Sequence, residues 1–196
     1  LAQHGVSIIS TPYAEVQHGD ALFSFAKYQA FGINMTIGTD AQPMDMLRNM
    51  RMARDIDAIC RARQLFQRYP EDGAACNTFA DEPQYPRLDA GDFYNAATVN
   101  GAKALGRADI GALAPGMKAD IIAINLNDLA VGPYEDPIRT LLVSAVGNNI
   151  THTIVGGRML MENRRLVGID EEALLAQGQR VFERFLDLYE AYDAEN

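Results

Sequence analysis

The chain opens on a short β-branched run, Val6-Ser7-Ile8-Ile9-Ser10, which predicts a strand. Pro12 stops it, because proline lacks the backbone N–H that a ladder needs. From Asp20 to Phe31, Leu22, Phe25 and Ala26 recur at helical spacing. Gly32 then falls at the C′ position, where a left-handed residue ends a helix. Residues Ile33 to Gly38 read as a second short strand running into Thr39-Asp40. Pro43 suits the first turn of another helix, with Asp45 near the positive end of its dipole. Met46, Leu47, Met50, Ala53 and Ile56 carry the apolar face of that helix to about Phe66. Strand-helix-strand-helix with short connections is a parallel α/β pattern. Reactive groups in such folds collect at the C-terminal ends of strands, which here are Pro12 to His18 and Asp40 to Asp45.

The texture changes further along. Pro70, Pro83 and Pro86, with Gly73 and several acids, mark a long surface loop from Tyr69 to Asp89. A helix follows, capped by Asp89 or Asp92, with Phe93, Ala96, Ala97 and Ala104 on one side. Beyond Gly106, Pro115-Gly116 signals a turn, Ala119 to Asn125 a strand, and Pro137 to Ser144 a short helix. His152-Thr153-Ile154-Val155 leads through Gly156-Gly157 into Arg158-Met159-Leu160-Met161, a hairpin. This β-rich part predicts a small sheet separate from the first layer. Asp170 then caps a periodic helix from Glu171 to about Tyr192, carrying Leu174, Leu175, Val181, Phe185, Leu188 and Tyr189. Three units result: residues 1–106, 107–168 and 169–196. No internal repeat or low-complexity segment interrupts them.

Composition narrows the function. Over 196 residues, 48% are hydrophobic and 22% charged, values of a soluble globular protein able to bury a core. No window approaches the ~20 apolar residues of a membrane span. A net charge of −9, with no Lys/Arg cluster, disfavours a nucleic-acid partner. Cys60 and Cys76 form neither a CxxC motif nor a disulfide framework, so a reducing, cytoplasmic setting is expected.

Among residues that carry chemistry, Asp40 stands out. A carboxylate at the end of a buried strand can ligate a metal or take a proton from metal-bound water. Taken alone, it is more simply a cap for the helix that follows. His4, His18 and His152 show no HxH or HxxxH spacing and do not make a catalytic zinc set, which takes about three protein ligands. His152 reads as structural, and His18 could face a site or solvent equally well. Thr11, Tyr13 and Gln17 follow the first strand and are candidate substrate contacts, although Thr11-Pro12-Tyr13 is also ordinary turn chemistry. Gly38 serves close backbone packing, since no phosphate-binding glycine motif is present. No serine sits in GxSxG, and Cys60 has no histidine nearby in sequence, so nucleophilic catalysis lacks support. The methionines at 44, 46, 50 and 52 read as helix packing.

Three stretches resemble the amidohydrolase superfamily, in its cytosine-deaminase and chlorohydrolase-like branch. They are Gly32 to Arg51 (Gly-Ile-Asn-Met-Thr-Ile-Gly-Thr-Asp-Ala-Gln-Pro-Met-Asp-Met-Leu-Arg-Asn-Met-Arg), Ala96 to Gly106, and Ile110 to Ile121. They occur in the family's order, and the Thr153 to Met161 hairpin adds a fourth likeness. The similarity reaches from about Val6 to Val167. It implies the C-terminal part of a (β/α)8 barrel of TIM type, part of a small β-sandwich domain, and a C-terminal helix. The family's metal site would use an HxH pair on the first strand, a histidine on a middle strand and an aspartate on the last. Only the aspartate matches, at Asp40, implied to bind the metal (zinc or iron) and to shuttle protons as hydroxide attacks a C–N or C–Cl carbon of a heterocycle.

Two departures accompany the likeness. The strands that would carry the histidines are absent, and many relatives have His-Cys-Pro where this chain has Ser10-Thr11-Pro12. Half a barrel would expose sheet edges. The chain alone is therefore expected not to be a competent hydrolase, requiring an N-terminal half in the same polypeptide or as a partner chain. A divalent metal is expected only if those histidines are supplied, with a small heterocyclic substrate and self-association into a homo-oligomer. The alternative is a non-catalytic chain retained for assembly. A sugar- or nucleotide-binding α/β module has only general architecture behind it.

Overall fold

The computed structural model describes residues 1–22, 24–41, 43–66 and 85–195. Strands β1 (Ser7–Ser10) and β2 (Asn34–Ile37) pair in parallel, with Ser7 beside Asn34 and Ser10 beside Ile37. A parallel pair needs a crossover, supplied here by two short helices, α1 (Pro12–Gln17) and α2 (Phe25–Ala30). Gly32 closes that crossover at φ +75°, the left-handed position anticipated for it. Helix α3 (Met46–Phe66) lies against the sheet, followed by α4 (Ala90–Ala96) and α5 (Val99–Ala104). Phe25, Met35, Leu47, Met50, Phe93 and Leu142 form the centre of the core, with the Phe25 and Phe93 rings 5.4 Å apart.

Four sequence-level expectations are corrected. Pro12 does stop β1, but as the first residue of α1 rather than as a turn, using the one helical position that needs no N–H. Helix α2 begins at Phe25, not Asp20, with the Ser24 hydroxyl accepting the Lys27 N–H. Helix α3 starts at Met46, three residues beyond Pro43, which leaves Met44 exposed instead of packed. The helix after Asp89 is two helices. Thr98 leaves helical geometry (φ −129°, ψ −96°), and its hydroxyl donates to the Tyr94 carbonyl. Gly111 packs against that break, where a Cβ would lie 3.1 Å from the Val99 Cα. The expected loop from Tyr69 lies mostly outside the described residues; residues 85–89 form neither helix nor strand. Asp89 caps α4 through a reciprocal pair of bonds with Asp92.

The second layer is an antiparallel sheet of β3 (Ile121–Ile124), β4 (Ile150–Val155), β5 (Arg158–Glu162) and β6 (Arg165–Leu166), in that order. Gly156 and Gly157 both take positive φ, as a two-residue hairpin turn requires. A second such turn uses Asn163 and Arg164, also left-handed, and adds β6, which the sequence did not signal because no glycine marks it. Helix α6 (Pro137–Val143), capped by Asp136, joins the layers with the 3-10 turn Gly147–Asn149. Helix α7 (Glu171–Glu195) is capped by Asp170, which accepts the Ala173 N–H. Its apolar side chains stand in solvent, Leu175 at 74% exposure and Leu188 at 62%. Among the described residues no helix is long and apolar enough to cross a membrane.

Candidate active site

The site grows out of the C-terminal ends of β1 and β2. The Gly38 N–H donates to the Ser10 carbonyl at 2.8 Å, carrying the parallel ladder one residue past β2. Thr39 and Asp40 therefore follow directly on the strand end, after Gly38, which packs against Thr11. A side chain at Gly38 would crowd this edge: a Cβ there would lie 3.3 Å from both the Ile9 and Thr11 methyl groups. Asp40 is exposed and left-handed (φ 54°), a conformation in which aspartate is among the few tolerated non-glycine residues.

The Thr11 edge is fixed by Glu15. One carboxylate oxygen accepts the Ser10 hydroxyl (3.1 Å) and the Thr11 N–H (2.7 Å), and the other accepts the Leu22 N–H (2.9 Å). That side chain ties the end of β1, the start of α1 and the chain leading into α2 into one unit. Tyr13 is held through its backbone, whose N–H donates to the Asn49 carboxamide oxygen at 3.2 Å. Its ring lies under the Arg48 guanidinium, 5.4 Å from the centroid, a cation–π contact between α1 and α3. Gln17 stands one turn beyond Tyr13, at the exposed end of α1. Thr11, Tyr13 and Asp40 thus share one end of the sheet, with Gln17 at its margin.

The loop from Asp40 into α3 is tethered twice. The buried Asn49 donates to the Pro43 and Asp45 carbonyls, at 3.4 and 3.0 Å. Asp45 accepts the Arg48 N–H at 3.1 Å and the Gly147 N–H at 3.0 Å. Glu15 and Asn49 were not singled out from sequence. Asn49 carried one usable signal: in a 3.6-residue period it falls on the same side as Met46, Met50 and Ala53.

The histidines do not converge on this edge as a ligand set. His4 ends a 3-10 turn, His18 caps α1 at an exposed position, and the His152 imidazole Nδ1 shares a 2.9 Å hydrogen bond with the Thr151 hydroxyl. Among the described residues no three His, Cys, Asp or Glu side chains are placed to hold a metal ion. The carboxylate of Asp40 is a suitable hard donor, but a single one, so these residues do not by themselves fit a metal centre.

A parallel strand pair with helices packed against it, and a carboxylate just past its strand ends, is joined to a small antiparallel sheet, an architecture of α/β class. Residues 1–160 match the Amidohydrolase family, and the chain belongs to it. It is 29% identical over 188 residues to a 5-methylthioadenosine/S-adenosylhomocysteine deaminase of Acetivibrio thermocellus, covering 95% of this chain and 39% of that protein. A 5'-deoxyadenosine deaminase of Methanosarcina mazei is 28% identical over 190 residues, covering 95% of this chain and 39% of that protein. The crystal structure of an adenosine deaminase from Xanthomonas campestris with bound zinc superposes with a TM-score of 0.76 at 26% identity. That match covers 93% of this chain and 38% of the other. The chain thus spans a little over a third of the length of these relatives, and its first layer is part of a TIM-type barrel.

Proposed function

We propose that this chain is the C-terminal portion of a metal-dependent amidohydrolase that hydrolyses a C–N (or C–Cl) bond of a heterocycle, in the manner of a deaminase. The observation that carries the reading is Asp40, exposed and left-handed three residues past the end of β2, just after Gly38 pairs with the end of β1. In this role the Asp40 carboxylate takes a proton from the attacking water as its oxygen adds to the ring carbon. It then returns the proton to the leaving nitrogen, so that the C–N bond breaks and ammonia departs. Thr11, Tyr13 and Gln17 would contact the heterocycle along the β1 edge. Names of the relatives favour a purine ring.

The metal, zinc or iron, requires histidines that the described residues do not gather. We assign them to the rest of the family's barrel, in the same polypeptide or in a second chain, with β3–β6 completing a small β-sandwich. The test is the chain completed with that portion, assayed on adenosine-type, pterin and triazine substrates, with metal content measured alongside. Turnover that Asp40→Ala abolishes while the fold is kept supports the reading. Full activity in that variant would sink it.

A second reading, a non-catalytic assembly chain, is favoured by the exposed apolar stripe of α7. It predicts a stable, metal-free, self-associated species, which native mass measurement detects.

A further inference from the structure

We infer that Asn49 is the positioning residue that fixes Asp40 relative to the Thr11–Tyr13 edge, an inference resting on the functional reading above. Asn49 lies in the first turns of α3 at 0% exposure, between Leu47 and Met50, both core residues. A helix face packed on a core needs no carboxamide there; a leucine of similar size would suit the surroundings. Burying an amide is unfavourable unless its donors and acceptor find partners. Here they do, and the partners are backbone groups of the two segments that follow the strand ends. The oxygen accepts the Tyr13 N–H, one of the orphan donors at the start of α1. The nitrogen donates to the Pro43 and Asp45 carbonyls, both in the segment that leaves Asp40.

The two arms therefore serve different loops. The acceptor arm holds the substrate edge, and the donor arm holds the loop of the reacting carboxylate. The β1–β2 ladder joins the strand ends themselves and Asp45, anchored on Gly147, fixes the far end of that loop, so Asn49 is the bridge that sets how the two loops sit beyond the ladder. A shift of about an ångström in such a group is enough to cost two orders of magnitude in rate.

Two substitutions separate the arms. Asn49→Asp keeps an acceptor for Tyr13 and sets lone pairs against the Pro43 and Asp45 carbonyls. Asn49→Leu removes both arms. In the 196-residue chain, followed by hydrogen exchange, Asn49→Asp should leave the Tyr13 amide protected while amides of residues 40–48 exchange about tenfold faster. Asn49→Leu should loosen both segments, and the β4–β5 amides should stay unchanged in either. In the completed protein, Asn49→Asp should lower kcat about tenfold or more with KM within about twofold; Asn49→Leu should change both.

Unchanged exchange over residues 40–48 in Asn49→Asp overturns the inference. So does a loosened loop with kcat intact, which would leave Asn49 a structural amide only. Absence of turnover from the unaltered completed protein overturns the functional reading and takes the inference with it, a result distinct from either.

Discussion

The Asp45 carboxylate accepts the Gly147 N–H at 3.0 Å, across 102 residues of sequence. It joins the loop that leaves Asp40 to the turn that enters β4, so the site edge and the small sheet share one hydrogen bond. Arg51, six residues further along, doubles the connection, donating from Nε to the Leu142 carbonyl and from Nη2 to that of Ala145, at 3.0 and 2.8 Å.

This contact leaves little room for a side chain at Gly147. A Cβ there would lie 3.2 Å from Asp45 Oδ2 and 3.4 Å from its Cγ. Asp45 cannot swing aside freely, because its other oxygen accepts the Arg48 N–H. Gly147→Ala should destabilise the chain by about 1–3 kcal/mol in denaturant unfolding. Gly178→Ala, within α7 with nothing within 4 Å of the added carbon, should instead stabilise it by about 0.5–1 kcal/mol. Equal effects at the two glycines would show that the Asp45–Gly147 approach carries no energy.

Glu15 offers a second test of how the site is held. Both of its oxygens accept, one from Ser10 and Thr11 and the other from Leu22. A glutamine has one acceptor oxygen and one donor nitrogen, so whichever way it turns, an N–H meets an N–H. Glu15→Gln should cost about 1–3 kcal/mol, read as a lower denaturation midpoint with an unchanged slope. An unmoved midpoint would mean that water replaces the carboxylate without loss.

Much of this architecture was legible in the sequence, and the reasons for the rest are physical. Strands β1 and β2 announce themselves because Ile8, Ile9, Met35 and Ile37 form short apolar runs closed by Pro12 and Gly38. Gly32, Asp89 and Asp170 declare helix ends because capping chemistry is local. Pro12 misleads because the same ring that ends a strand also suits the first position of a helix. Asn49 was passed over for a different reason, although its helical phase put it with the apolar face. A polar residue in a helix reads as solvent-facing, and the Tyr13 N–H that satisfies it lies 36 positions upstream. The α7 stripe was read correctly as apolar, but periodicity does not say what covers it.

Asp57 should shape the pH dependence of stability. Its carboxylate is buried on α3, accepts the Ala26 N–H at 3.2 Å and lies 3.6 Å from the Arg61 guanidinium. Burial is the largest influence and raises its pKa above the ordinary 3.8; the Ala26 bond and Arg61 oppose that, and Asp92 adds to it. The native chain thus keeps this proton to a higher pH than the unfolded chain does. Below 3.8 both states hold it. As pH rises from there through the raised native value, the native state must give up a proton it favours, and stability falls. Asp57→Asn removes that slope, so stability of the variant relative to the parent should rise with pH across the same interval and then level off. Chemical unfolding at a series of pH values checks it, and parallel curves would contradict it.

Asp40 separates stability from chemistry most sharply. At φ 54° it holds a conformation that glycine adopts freely and that costs alanine about 1–2 kcal/mol. Asp40→Gly should therefore leave the chain as stable as before or up to about 1 kcal/mol more stable, whereas Asp40→Ala should be less stable than Asp40→Gly by about 1 kcal/mol. In the completed protein both variants should lose turnover by about 10²–10⁴-fold, the range that one positioned proton-transfer group supplies. Thermal unfolding and initial rates on the same preparations give the two numbers. A glycine variant that is stable and fully active would leave the left-handed residue a turn former and nothing more. One that is stable and inactive would mean that the carboxylate is kept at a strained position for its chemistry.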